Sequence, residues 1–222
     1  MRPALIIDVE TRPDPAIEAS AAWWQRYEDA LELPGNIKDE LKLEDWRQEK
    51  LGKARSKMAL NARTGCIAMV GCAELDDDDA VEVFRADGDL ADVASRGSEG
   101  ILLKRLSSYL FDLPSTGVPV IGWNVRKFDV PFLLARCALH DVALPRWFPN
   151  MRSYRHLLVD LLDDIYGAGP MSEWRFVFGK GFKEIEGADL LTVPLDELEA
   201  HLRDDLEDTK MLARRTEWAW RE

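Results

Sequence analysis

The 222-residue sequence is poor in the residues that build disulfide frameworks or soft-metal sites, with three cysteines and three histidines. Cys66, Cys72 and Cys137 make an odd count, and His140, His156 and His201 are scattered, so no Cys/His zinc spacing can be assembled. The thiols read as small core residues of a protein kept in a reducing compartment. Long apolar runs are missing too. The run Ala4 to Ile7 meets Asp8 at once, too short for the apolar region of a signal peptide, and no later stretch approaches the roughly 18 apolar residues of a membrane span. The expectation is a soluble cytoplasmic protein with no membrane attachment.

Positive charge is the third shortage. Twenty-nine Lys and Arg stand against 41 Asp and Glu, a formal charge of −12. Proteins that coat long nucleic acid carry a broad basic face, so tight non-specific coating is disfavoured. A nuclease remains open, because its site needs several carboxylates for metals and only a local basic rim for a few phosphates. Arg126, Lys127, Arg146, Arg152 and Arg155 are candidates for such a rim.

What is present is a folded-domain composition, 46% hydrophobic with eight Trp. Residues 4–9 are an apolar, β-branched run of strand length that predicts a first, central strand. Residues 66–73 and 80–84 read as two more strands joined across the acidic run Asp76 to Asp79, which suits a solvated turn. Residues 98–110 read as a helix, 119–123 as a buried strand, about 130–140 as a helix with Pro131 in its first turn, and 196–220 as a long amphipathic helix. Residues 156–166 are ambiguous. Strands first, then strand and helices in alternation, describe an α/β layer fold. Residues 14–64 stand apart, helix-prone and charged with Trp23, Trp24 and Trp46, and read as a helical insertion after the first strand through which a protein partner could dock.

Three segments concentrate the chemistry. Strand alternation places Asp8 and Glu10 on one face, where two like charges are either solvated or neutralised by a hard cation. Alone, Asp-x-Glu is equally a solvated strand end. The second segment, Val120 to Arg136, is a strand, a short loop and a helix, with Asn124 at the strand exit and Asp129 at the loop-to-helix junction; alone, Asp129 suits a helix N-cap. In the third, His201 and Asp205 lie four residues apart and share a helix face.

Together these segments resemble the DEDD exonuclease superfamily, most closely the 3′→5′ exonuclease domains of family-B DNA polymerases. Asp-x-Glu-Thr stands as Asp8 to Thr11. An apolar strand followed by Gly-aromatic-Asn, a spacer and Phe-Asp-x-Pro stands as Gly122 to Pro131, and is the specific motif of the three. Tyr-x-x-x-Asp, an apolar residue and then Thr stands as His201, Asp205, Leu206 and Thr209. His201 is a departure, since the Tyr-type pattern has Tyr at this spacing and the His-type pattern has its His one residue further from the Asp.

The resemblance covers nearly all the chain outside 14–64 and is weakest from 141 to 195. It implies an α/β ribonuclease H-like fold, with a mixed central sheet of about five strands flanked by helices, forming a single exonuclease domain over residues 1–222. It further implies 3′→5′ exonuclease activity with two divalent cations, Mg²⁺ or Mn²⁺, held by Asp8, Glu10, Asp129 and Asp205. Asp8 would bridge the two, and His201 would act on the attacking water. Thr11, Trp123, Asn124 and Phe128 would contact the terminal nucleotide. The expected partner is nucleic acid with a free 3′ end, single-stranded DNA favoured. The alternatives are an RNA or short-oligonucleotide exonuclease, and an inactive nucleic-acid or partner-binding module.

Overall fold

The computed structural model describes residues 4–32, 34–35, 39–86, 96–114, 118–149, 157–181 and 193–220. The expected first strand is longer than its apolar run: β1 spans Leu5–Pro13. It lies at the centre of a five-stranded sheet of order β3-β2-β1-β4-β5, with β2 at Gly65–Glu74, β3 at Val81–Arg85, β4 at Val120–Gly122 and β5 at Leu158–Asp160. The first three strands pair antiparallel, whereas β4 runs parallel to β1 and β5 parallel to β4. This is a mixed sheet flanked by helices, consistent with a ribonuclease H-like fold. Of the ambiguous stretch 156–166, residues 158–166 form β5, three residues long, and a π-helical turn at Leu161–Tyr166, while His156 lies outside the described residues.

Between β1 and β2 lie α1 (Pro15–Glu18), α2 (Ala21–Asp29), α3 (Glu40–Ser56) and a 3-10 turn at Met58–Leu60. Ser20 and Asp39 cap α2 and α3 by accepting from first-turn amides. α2 buries no residue and α3 only Leu51, while Met58 and Ala59 of the turn belong to the core. Trp23, Trp24 and Tyr27 of α2 close on one another, and Arg55 of α3 lies over the Trp24 ring.

Among the described residues, the helices beyond β3 are α4 (Arg96–Asp112), α5 (Asp129–Leu139), α6 (Met171–Val177) and α7 (Leu195–Arg215), with a single turn, α8 (Glu217–Trp220), at the end. α7 buries a stripe of Leu198, Leu202, Leu206 and Leu212 at helical spacing. It packs where β2 has Gly71: a Cβ there would meet Leu206 and Leu202. The opposite face takes α4, whose Tyr109 packs on Phe84, and Phe84 pairs with Val70, the next residue along β2.

A buried ion-pair cluster joins these layers. Arg136 of α5 and Glu99 of α4 are both about 1% exposed, and Glu99 also accepts from the Ile67 amide at 2.8 Å and contacts His140 at 2.7 Å. Arg136 extends to Asp14 at 3.4 Å, where β1 turns into α1. The three cysteines are free and buried, and burial pushes the Cys66 and Cys137 thiols up to about 12, so neither is a nucleophile.

Candidate active site

The site forms at the C-terminal edge of the two central parallel strands. Asp8 and Glu10 project from β1 toward α7, on the face that Gly71 shares, since Gly71 pairs with Asp8. Past Glu10 the ladder slips. Glu10 pairs with Met69 but Thr11 with Ile67, so Ala68 is the extra residue of a bulge on β2 beside the acidic pair.

α7 brings His201 and Asp205 over this edge. One ligand atom from each of Glu10, His201 and Asp205 lies within 4.8 Å of the others. His201 Nε2 is 3.3 Å from Asp205 Oδ2 and 4.0 Å from Glu10 Oε1, and the three side chains are only 13–14% exposed.

Asp129 enters from the other side of the strand end. The helix N-cap is Phe128, which makes no side-chain cap bond, and Asp129 is the first helical residue. Its Oδ1 instead accepts from the Val9 amide at 3.0 Å, between Asp8 and Glu10 in sequence. The capping alternative is thereby corrected: the carboxylate serves β1 rather than its own helix. Burial pushes the Asp129 carboxyl well above the usual carboxylate range, and the charges of Asp8 and Glu10 push it further, against the lowering pull of its own amide and that of Val9. Glu10, His201 and Asp205 thus bring donor atoms together, while Asp129 stands close enough to Asp8 and Glu10 to feel their charge but is not part of that three-residue group.

Of the residues expected to contact a nucleotide, Trp123, Asn124 and Phe128 lie on the segment between β4 and α5, and Thr11 follows Glu10 on β1. Thr11 is half-buried on β1. Trp123 and Phe128 are half-buried, Trp123 against Tyr166 at 5.6 Å between ring centroids and Phe128 against Phe132 at 5.5 Å. Asn124 has φ 58°, a left-handed backbone uncommon for a residue with a Cβ.

The basic rim is only partly what the sequence suggested. The Arg126 guanidinium forks onto Asp164 at 2.8 and 2.7 Å, and Lys127 reaches Asp163 at 2.7 Å, both acids on the π-helical turn. Arg146 lines a cavity of about 300 Å³ beside the C-terminal half of α5, the end remote from Asp129. Arg152 and Arg155 lie outside the described residues, as does His156.

Two residues near the site were not singled out from the sequence. Arg12, 3% exposed, donates to the carbonyl of Val193, just before α7 begins, and so ties the strand bearing Glu10 to the helix bearing Asp205. Burial lowers its pKa, while the charges of Cys66 and Glu10 raise it. Asp160, fully buried at the end of β5, accepts from the Asn124 amide at 3.1 Å and the Arg126 amide at 2.9 Å. Neither carries a motif; one Asp among many and one Arg beside a Pro offer no pattern to detect.

Among the described residues no helix is long and apolar enough to cross a membrane. No protein-family model matches the sequence, and no curated protein does. Solved structures do match in fold. The family B DNA polymerase from the hyperthermophilic archaeon Pyrobaculum calidifontis is similar over 97% of this chain, with TM-score 0.59 and 16% identity. The chain spans about a quarter of that polymerase's length, 24%, so the likeness is to its fold over that portion.

Proposed function

We propose that the protein is a metal-dependent exonuclease that hydrolyses phosphodiester bonds from 3′ ends, with DNA the favoured substrate. The observation that carries this reading is the convergence of Glu10, His201 and Asp205, from opposite ends of the chain, to donor atoms within 4.8 Å of one another beside Asp8 and the buried Asp129. Likeness in fold to a DNA polymerase adds support for a nucleic-acid substrate.

The donor set fits hard divalent cations. Mg²⁺ and Mn²⁺ take oxygen ligands, and a buried Asp129 carboxyl pushed up by burial and by the charges of Asp8 and Glu10 is relieved by positive charge. Asp8, Glu10, Asp129 and Asp205 would hold two such ions. When bound, the pair supplies activation of the attacking water and stabilisation of the leaving 3′ oxygen.

The chain's own residues do the rest. His201 orients the attacking water and takes its proton at an imidazole nitrogen, with Asp205 Oδ2 3.3 Å away to hold the ring. Val9, through its amide, fixes the Asp129 carboxylate in the site. Thr11 and Asn124 hydrogen-bond the terminal nucleotide, while Trp123 and Phe128 offer ring surface that tolerates any base.

A second reading, an RNA or short-oligonucleotide exonuclease, is favoured by Arg126 and Lys127 being paired with Asp164 and Asp163 rather than held ready for phosphates. The deciding experiment incubates the protein with 5′-labelled single-stranded DNA and RNA of one sequence, in Mg²⁺ and in Mn²⁺. Stepwise shortening from the 3′ end is expected, faster on DNA, and lost in Asp205→Asn. Absence of shortening on both substrates by folded protein would overturn the proposal, and faster shortening of RNA would select the second reading.

A further inference from the structure

The loop that carries Trp123, Asn124 and Phe128 is not held by its own hydrogen bonds alone. Register places it: Leu5 pairs with Val120 and Ile6 with Ile121, so the residues after Gly122 run out level with Asp8 and Val9. The loop folds back tightly, since a Cβ on Gly122 would lie 2.7 Å from Val125 Cβ and 2.9 Å from the Ile7 carbonyl oxygen. Asn124 adopts the left-handed backbone, which Asn tolerates better than most residues with a Cβ, and its amide is held from outside the loop.

Asp160 is that anchor. It is fully buried, and its two oxygens accept three backbone N–H groups: Oδ1 from Asn124 at 3.1 Å and from Asp163 at 3.3 Å, Oδ2 from Arg126 at 2.9 Å. Its own amide donates to Asp164 Oδ2 at 3.0 Å, the same carboxylate that takes the Arg126 guanidinium fork. Arg126 also donates to the Leu158 carbonyl at 2.7 Å. β5 and its π-helical turn therefore clamp residues 124–127 by backbone and side chain together. Asp129 has a separate anchor, the Val9 amide. The loop amides and the Asp129 carboxylate are thus held by different partners.

We propose that Asp160 is a positioning residue for substrate: through the amides of Asn124 and Arg126 it sets the nucleotide-contacting loop, independently of the carboxylates that hold the cations. Asp163 and Asp164 then serve the clamp by neutralising Lys127 and Arg126, which is why these two basic residues are paired. The inference rests on the exonuclease reading, and its test separates the two.

The experiment uses the whole chain, comparing wild type with Asp160→Asn and Asp164→Asn. Asn presents an NH₂ group to one backbone N–H, leaving a buried donor opposed and the loop shifted. Three quantities are measured: KM and kcat on single-stranded DNA, binding of labelled oligothymidylate in Ca²⁺, and Mn²⁺ affinity by calorimetry. For Asp160→Asn, KM and the oligothymidylate Kd rise roughly tenfold to a hundredfold, as expected for losing a charge-assisted hydrogen bond. kcat at saturation and Mn²⁺ affinity stay within about threefold of wild type, a difference under 1 kcal/mol. Asp164→Asn, on the exposed rim of the clamp, raises KM about threefold and provides the reading if Asp160→Asn fails to fold.

Equal loss of Mn²⁺ affinity and kcat would make Asp160 a general support of the fold and overturn the inference. So would an unchanged KM in both variants, or in Asp164→Asn alone where Asp160→Asn does not fold. Wild-type protein without exonuclease activity would overturn the functional reading instead; the oligothymidylate Kd then decides the loop's role by itself.

Discussion

A Cβ on Gly71 would lie 2.5 Å from Leu206 Cδ1 and 3.1 Å from Leu202, and Gly71 is the β2 residue paired with Asp8. The residue that lets α7 approach the sheet thus sits directly across from the first carboxylate, and Leu206 is the neighbour of Asp205. Gly71→Ala is expected to lift α7 off the sheet locally, costing about 1–3 kcal/mol from overpacking. Because Asp205 and His201 ride on that helix, Mn²⁺ affinity measured by calorimetry falls by about tenfold as well. Leu206→Val, which shortens the obstructing side chain, restores part of both. Wild-type Mn²⁺ binding in Gly71→Ala would show that the close approach serves packing alone.

Removal of Arg136 is a stability prediction with a large expected effect. Its guanidinium and the Glu99 carboxylate are both about 1% exposed, and Asp14 completes the cluster. Arg136→Met leaves two buried carboxylates without their cation and is expected to cost about 3–5 kcal/mol, a fall in melting temperature of about 10 °C or more. Glu99→Gln keeps an acceptor for the Ile67 amide and costs less. A thermal melt within about 2 °C of wild type for Arg136→Met would mean that the cluster contributes little to stability.

Much of this arrangement was legible in the sequence, and the exceptions have physical causes. β1, β2 and β4 announce themselves as apolar runs because they are buried on both faces, and the β2–β3 turn by its four aspartates. β1 runs on to Pro13 past its apolar stretch, where the buried Arg12 donates to the Val193 carbonyl and the adjoining Asp14 pairs with Arg136, partners far away in sequence. β5 has three residues, too few for any periodicity, and its Asp160 looked like one more acid. Asp129 carried a local signal for helix capping, yet the acceptor role went to β1, a long-range contact that local spacing cannot encode. The pairing of Arg126 and Lys127 was hidden for the same reason.

The raised pKa of Asp129 gives a pH prediction. Its folded-state value stands well above its ordinary value of 3.8, chiefly through burial and then through Asp8. The folded protein therefore holds this proton more tightly than the unfolded chain, so the metal-free protein loses stability as pH rises from the ordinary value up through the raised one. Asp129→Asn abolishes that loss while still offering an oxygen to the Val9 amide. In EDTA, melting temperatures from about pH 4 to about pH 8 should show the variant gaining on wild type as pH rises. In saturating Mn²⁺ the order reverses, since wild type gains binding energy the variant lacks. A constant difference across pH in EDTA would remove Asp129 as the titrating group.

His201 stands at the spacing that the Tyr-type pattern gives to Tyr, with Nε2 3.3 Å from Asp205 and 4.0 Å from Glu10. Under the proposed exonuclease function two roles compete there, a ligand of the cations and a proton-handling group for the attacking water. The two carboxylates beside it already supply the harder donors, so loss of the imidazole should cost the chemistry more than the binding. His201→Ala is expected to lower turnover by roughly 10²–10⁴-fold, the usual range for a positioned acid–base group, with Mn²⁺ affinity nearly unchanged. His201→Tyr should recover part of that loss if a water-orienting hydrogen bond is the main contribution, because a phenolic oxygen reaches from the same helix position. Single-turnover rates and calorimetric Mn²⁺ titrations on both variants separate the roles. A matching fall in Mn²⁺ affinity for His201→Ala assigns the imidazole as a ligand, and wild-type turnover from about pH 6 to about pH 9 would leave it no part in the reaction.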